Sequence, residues 1–185
     1  WEKLNRAQAM LGTASEAALA LNKQLNTTYP RSHLVKLSLA HALIVANQLD
    51  TAQIQLEDAL VLSPKDTDVH ATLGLLLQAR QNHQEALPHL ETAALARPHD
   101  PSLQIAFGVS ATNVRGPKSG AQILAAAAER IPSDPRPAMA LAQLLTQNGD
   151  APSAYIVLER AVNQYPSPDL LLALAGAAKA IGKNK

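Results

Sequence analysis

The sequence predicts an all-α solenoid of stacked antiparallel helix pairs, and three observations lead to this fold class. Prolines recur at one constant interval, which matches the length of a helix-turn-helix repeat of about 34 residues. Small and large apolar residues repeat at fixed distances before each proline. No segment alternates apolar and polar residues as a half-buried strand does. The recurring prolines are Pro30, Pro64, Pro98, Pro132 and Pro166.

The residues before each proline define one face of a helix. A small residue lies twelve positions before each proline, and in every unit after the first Leu lies eight positions before the proline and Ala lies five before it. Steps of four and three keep all three positions on one helical face. The small residues are Ala18, Ala52, Ala86, Gly120 and Ala154; the others are Leu56, Leu90, Leu124 and Leu158, and Ala59, Ala93, Ala127 and Ala161.

A second recurring position lies ten places after each proline, where Gly or Ala follows a larger residue in most units. A small residue beside a large one lets a neighbouring backbone approach closely while the large side chain fills the adjacent space. We therefore predict close contact between two helices at this position. The small residues are Ala40, Gly74, Gly108 and Ala142, and Gly176 continues the series.

Each unit is predicted to contain a first helix, a short turn, a second helix and a proline-marked link. In the links, proline ends one helix and Asp or Ser can cap the next. We assign one repeat array to residues 1–185. Its units are at about 1–32, 33–66, 67–100, 101–134 and 135–168, with a partial unit or end helix at 169–185.

This pattern resembles the tetratricopeptide repeat family, whose signature is Trp-x2-Leu-Gly-x2-Tyr, then Ala-x3-Phe, then Ala, then Pro. The unit that matches best contains Leu73-Gly74, Leu77, Ala86, Leu90, Ala93 and Pro98, and the first unit contains Trp1, Leu4, Gly12 and Ala17. Leu or Ala replaces the aromatic residues of the family, and the turn at 115–120 is atypical. The resemblance implies a right-handed superhelical solenoid that binds proteins.

Both ends of the sequence lead us to expect a longer parent protein. Trp1 matches a position inside a first helix, and residues 169–182 are predicted to form another first helix. Leu170, Leu171 and Leu172 make that helix too apolar for the polar outer face of a terminal repeat. We expect further repeats, an oligomer contact or a partner to cover it, and we expect self-association of the isolated chain through it.

Composition and charge exclude several classes of partner. The 16 basic and 15 acidic residues give a net charge of +1, without the Lys/Arg block that tracks phosphates or anionic lipids. We therefore predict no nucleic-acid partner. The longest apolar stretches, such as 170–178, are shorter than the roughly 20 residues of a membrane-spanning helix, so we predict no membrane insertion. The absence of Cys leaves a periplasmic and a cytoplasmic location both open.

Residues with catalytic or metal-binding chemistry form no recognised pattern. The six histidines are His33, His41, His70, His83, His89 and His99, and none has the His-Glu-x-x-His spacing of zinc peptidases. The Gly116 to Gly120 segment is similar to a phosphate-binding loop, but it follows no strand and lacks the full Gly-x4-Gly-Lys-Ser spacing. We predict no catalytic residue, no metal, no cofactor and no enzymatic activity.

The predicted binding surface lies on the first helices, which line the concave side of a stacked array. Groove-facing residues should lie three before, one after and four after each close-packing Gly or Ala. These residues are Leu37, His41, Ile44, Ala71, Leu75, Gln78, Ile105, Val109, Thr112, Met139, Gln143 and Thr146, followed by Ala173 and Ala177. The stripe is apolar in its middle with neutral polar groups on either side. The alternative is that these residues are buried between helices or against further repeats of a longer parent protein.

These observations predict a non-catalytic scaffold that binds a peptide or helix of a protein partner in the concave groove. Related proteins that clamp a carboxylate terminus use Lys, Arg and Asn on this face, and such a cluster is missing here. Two alternatives stay open. One is a structural segment of a larger bacterial envelope protein, as in exopolysaccharide secretion or pilus assembly, and the other is a regulatory domain of an enzyme whose catalytic part lies outside this sequence.

Overall fold

A computed structural model describes residues 15–182, which form ten α-helices and no strand. These residues confirm the predicted all-α class. The chain divides into two compact units, one ending at Arg80 and the other beginning at Gln81. Trp1, Leu4 and Gly12 of the predicted first repeat lie outside the described residues. The assignment of a single array to residues 1–185 stays a prediction.

The first unit contains four described helices. They are α1 (Ser15–Thr28), α2 (His33–Val45), α3 (Leu49–Leu62) and α4 (Thr67–Ala79). Each helix packs against the next one in sequence, and the short connections make neighbours antiparallel. In repeat terms α2 and α4 are first helices, whereas α1 and α3 are second helices. Leu43, Leu56 and Leu73 are fully buried and form much of the core of this unit.

The second unit contains six helices. They are α5 (His83–Ala96), α6 (Pro101–Arg115), α7 (Pro117–Arg130), α8 (Arg136–Gln147), α9 (Ala151–Gln164) and α10 (Pro168–Ala180). Consecutive helices pack against each other, and the first helices α6 and α8 also touch. Leu90, Leu124, Leu158 and Leu170 are buried in the interior.

The predicted caps are present in the links. The Asp100 Oδ1 atom accepts hydrogen bonds from the backbone N–H groups of Ser102 and Leu103, at 2.9 and 3.2 Å. Asp66 and Ser32 occupy the same place before α4 and α2, one and two repeat lengths earlier in the chain. Each side chain satisfies a backbone donor that the first turn of a helix leaves without a partner. The capping prediction is therefore confirmed before α2, α4, α6 and α10, whereas α8 begins after Pro135 without a side-chain cap.

The contact between α6 and α7 explains the glycines at the recurring small positions. A Cβ atom added to Gly108 would lie 2.7 Å from the Leu124 Cγ atom, which belongs to a buried side chain. A Cβ atom added to Gly120 would lie 2.7 Å from the Gly108 carbonyl oxygen and would overlap the Thr112 hydroxyl. Because no side chain separates them, the two backbones approach closely, as predicted.

Gly176 on α10 differs from Gly108, although it occupies the equivalent repeat position. A Cβ atom added to Gly176 would meet nothing within 4 Å. No helix among the described residues packs on that side of α10, so close helix contact at Gly176 stays a prediction.

The turn between α6 and α7 is as unusual as the sequence predicts. A single residue, Gly116, connects the two helices, with φ 92° and ψ 167°. This combination of angles is essentially restricted to glycine. The α2–α3 connection instead contains Asn47 at φ 56°, a conformation that Asn tolerates.

Candidate protein-interaction surface

In the first unit, the predicted groove residues lie on α2 and α4 but differ in accessibility. Leu37 and Ala71 are buried, so they contribute to the core and almost nothing to the surface. Ile44 and Gln78 are half-buried. Leu75 is 39% exposed and is the most accessible apolar side chain of this set.

His41 connects the two first helices of this unit. Its Nε2 atom lies 3.1 Å from the Thr72 Oγ1 atom, and the Thr72 hydroxyl donates to the Asp68 carbonyl oxygen at 2.8 Å. Because the hydroxyl proton is already used, Nε2 is the protonated ring nitrogen and donates to Thr72. Burial lowers the pKa of His41, and the nearby negative charge of Asp68 opposes this shift only in part.

The depressed pKa of His41 predicts that acid destabilises the first unit. The unfolded chain takes up a proton near the ordinary histidine pKa of about 6.5, whereas folded His41 resists protonation, so stability falls as the pH drops below this value. We expect urea denaturation to show a smaller loss of stability between neutral and mildly acidic pH in His41→Gln, whose amide can still donate to Thr72. Equal losses in the variant and the parent would contradict this assignment.

In the second unit, the predicted groove residues lie on α6 and α8. Val109 is 37% exposed, and Gln143 and Thr146 are exposed. Ile105 is partly buried against the cluster of Leu124, Leu141 and Leu144. These positions therefore include an accessible apolar centre and neutral polar neighbours.

Two predicted groove residues of the second unit, Thr112 and Met139, contribute more to helix packing than to an accessible surface. Thr112 donates a hydrogen bond from Oγ1 to the Gly108 carbonyl oxygen at 2.9 Å and also borders Gly120, so it lies in the contact between α6 and α7. Met139 is partly buried against the cluster that contains Leu158 and Leu170.

One repeat position stands out among the twelve predicted groove residues on α2, α4, α6 and α8. The residue directly after the close-packing glycine is exposed in both units, as Leu75 and Val109. Gly74 and Gly108 are both buried, and the next residue lies about 100° further round its helix, so its side chain projects to solvent. None of the twelve residues carries a formal charge if His41 is neutral. The accessible parts of this surface suit an apolar segment.

The sequence prediction missed accessible apolar residues on the second helices. Val61 on α3 is 81% exposed, and Leu95 on α5 and Ile156 on α9 are also exposed. Val61 and Leu95 are one repeat length apart, so the repeat period itself was the signal that could have identified them.

Other chemical sites are sparse in the part of the chain that the structure describes. Within residues 15–182, no three His, Asp or Glu side chains are grouped so that they could hold a metal ion. A cleft of about 120 Å³ in the second unit is lined mainly by apolar side chains, including Ala125, Leu141 and Val157. This volume is below the roughly 300 Å³ at which ligand pockets begin, whereas two other clefts reach that size: one of about 470 Å³ in the second unit, lined by residues such as Ala121 and Leu144, and one of about 510 Å³ in the first unit, lined by residues such as Leu19 and Lys23. None of the described helices is both long and apolar enough to cross a bilayer.

The helix arrangement is similar to that of several solved structures. YrrB, described as a TPR protein with an unusual peptide-binding site, aligns with a TM-score of 0.77 at 19% identity, over 97% of this chain and 90% of YrrB. The chain therefore has the tetratricopeptide repeat fold. At this identity the similarity establishes the fold alone.

Two further structures share this tetratricopeptide arrangement. A MamA fragment from Desulfovibrio magneticus RS-1 gives a TM-score of 0.79 at 18% identity, over 89% of this chain and 96% of the fragment. PilF from Pseudomonas aeruginosa gives 0.78 at 16% identity, over 98% of this chain and 83% of PilF. No protein-family model matches the sequence, and no curated protein matches it either.

Proposed function

We propose that this chain is a non-catalytic scaffold that binds peptide or helical segments of a protein partner on its first-helix surfaces. The first-helix surface of each unit consists of the accessible residues of the predicted groove. It is centred on Leu75 in the first unit and on Val109 in the second. The observation that supports the proposal is that these two equivalent apolar side chains are exposed, although the helices that carry them are otherwise largely buried.

The chemistry of these surfaces favours an apolar peptide segment whose backbone N–H and C=O groups are free to form hydrogen bonds. Leu75 and Val109 offer apolar area, and Gln143 and Thr146 in the second unit are accessible side chains that can bond to peptide groups. The peptide-binding site described for YrrB, which has the same fold, supports a peptide as the ligand. The envelope-segment and enzyme-regulation alternatives share this fold but do not require an accessible apolar centre.

The test begins with a library of random short peptides, selected for binding to the chain and then titrated by calorimetry. Leu75→Arg or Val109→Arg should weaken a selected peptide at least a hundredfold, because an unpaired charge buried against an apolar ligand costs several kcal/mol. Circular dichroism should show unchanged helicity, since both side chains already reach solvent. Val61→Arg is the matched control, since it adds the same charge on a second helix and should leave affinity unchanged.

Three outcomes would contradict the proposal. Unchanged affinity in both first-helix variants would place recognition elsewhere, and an equal loss in Val61→Arg would place it on the second helices. Failure to enrich any peptide, with a chain of full helicity, would favour a structural segment of a larger protein.

A further inference from the structure

His41 has, on α2, the same repeat position that Leu75 has on α4 and Val109 has on α6. It lies one repeat length before Leu75 and two before Val109, and Gln143 continues the series on α8. Of these four side chains, only the imidazole of His41 can change its charge near neutral pH. The two first-helix surfaces therefore differ in chemistry, since only the surface of the first unit contains a titratable group at this position.

The His41 ring lies close to Leu75, the centre of the first unit's surface. Its Nε2 atom is 3.1 Å from the Thr72 Oγ1 atom of α4. Leu75 follows Thr72 by one helical turn, a rise of about 4.5 Å along the same side of α4. An apolar segment that covers the exposed Leu75 side chain therefore also reaches the imidazole, which is already half-buried in the free protein.

The hydrogen bonds around His41 fit a neutral ring. The Thr72 hydroxyl donates to the Asp68 carbonyl oxygen at 2.8 Å, so its oxygen accepts from the protonated Nε2 atom. The other ring nitrogen, Nδ1, has no hydrogen-bond partner within residues 15–182. A proton added at Nδ1 would place a charge without a partner in a site that is partly shielded from water, and such a charge is unfavourable.

The neighbouring charges compensate such a proton only in part. Asp68 on α4 raises the pKa of His41, but burial lowers it by more. The other charged groups on α2 and α3 have contacts elsewhere, which are His33 with Asp66, Lys36 with Asp58, Arg80 with Asp50 and Gln53 with Glu57. On α1, Glu16 and Lys23 line a cleft beside Ala46, which follows the last turn of α2.

We propose that His41 makes peptide binding by the first unit dependent on pH, so that an apolar segment binds to the neutral ring and is released when the ring takes up a proton. A docked apolar segment removes the remaining water from the imidazole, which disfavours its charged form further. Protonation and peptide binding therefore oppose each other. This inference rests on the function proposed above, and binding by the second unit, through Val109 and Gln143, lacks this dependence.

The direction of the effect follows from linkage between the proton and the peptide. The pKa of His41 in the free protein lies below the ordinary value of about 6.5, and a bound apolar segment lowers it further. Affinity should therefore be constant at neutral pH. It should decrease as the pH drops through the pKa of the free protein, by up to about tenfold per pH unit.

The test uses end-capped peptides, selected for binding from a random library without His, Asp and Glu so that the ligand itself does not titrate. Leu75→Arg and Val109→Arg sort the peptides by the unit that binds them. Calorimetry at about pH 7.5 and about pH 5 should show Leu75-dependent peptides weakened about threefold or more by acid, whereas Val109-dependent peptides keep their affinity. Circular dichroism at both pH values checks that the chain is folded.

His41→Gln is the matched variant, because its amide can still donate to Thr72 but does not titrate. Whatever its affinity at neutral pH, that affinity should be the same at about pH 5. In the parent chain, the pKa of His41, followed by NMR, should decrease when a Leu75-dependent peptide is added, since the linkage is reciprocal.

Four outcomes would overturn the proposal. They are a Leu75-dependent peptide with equal affinity at both pH values, an acid-induced loss that persists in His41→Gln, a His41 pKa that the peptide leaves unchanged, and a selection that yields only Val109-dependent peptides. None of these four contradicts the function proposed above. Peptides that depend on neither Leu75 nor Val109 would contradict that function, and this inference with it.

Discussion

We expect Gly108→Leu to destabilise the second unit by about 2 kcal/mol or more. Even the first carbon of the new side chain would lie 2.7 Å from the Leu124 Cγ atom, and Leu124 is only 1% exposed and has little room to move. Overpacking of this kind costs about 1 to 3 kcal/mol, occasionally more, which outweighs the gain of about 1 kcal/mol in helix propensity. Urea denaturation followed by circular dichroism measures the difference.

Gly176→Leu is the matched control for this prediction. It makes the same substitution at the same repeat position, but the space around Gly176 is open. Only the gain in helix propensity remains, so the variant should be as stable as the parent or slightly more stable. Similar destabilisation at Gly108 and Gly176 would show that close helix contact is not the cause.

We expect Leu124→Ala to destabilise the second unit by about 3 kcal/mol. The side chain is buried, packs with Leu141 and Leu144 and fills the space over Gly108. Removing it forfeits apolar burial and leaves a cavity, for which Leu→Ala losses of about 2 to 5 kcal/mol are typical. The denaturation midpoint should therefore decrease clearly.

Leu172→Ala provides the comparison for Leu124→Ala. Leu172 is equally apolar but lies mostly exposed on the open side of α10, so its removal should change stability by less than about 0.5 kcal/mol. A large effect at Leu172 would mean that this side is already covered in solution.

The helix pairs and caps could be predicted from the sequence because they depend on local residues. Proline spacing located the links, and Asp100 or Ser32 capped the following helices as expected. Pro88 shows a limit of local rules, since it lies inside α5 without ending the helix. Proline removes one backbone donor, and the packing around Leu87 and Leu90 maintains the remaining turns.

The accessibility of the predicted groove could only partly be predicted. Position relative to the close-packing Gly or Ala identified Leu75 and Val109 as accessible, but it also selected Leu37 and Ala71, which are buried. Burial depends on the neighbouring helix, which the pattern of one helix does not specify. Thr112 likewise became part of a helix contact because the single-residue turn at Gly116 brings α7 close to α6.

The proposed first-helix surface of the second unit depends on one register, in which Leu124 lies over Gly108. This register directs Val109 to solvent and identifies Gly176 as the open equivalent on α10. The most direct test is a double-mutant cycle of Gly108→Ala and Leu124→Ala, measured by urea denaturation. We predict that the double variant is more stable than the sum of the single effects implies, by about 1 kcal/mol or more, because the added methyl group no longer collides once Leu124 is shortened. Additive effects would contradict this register.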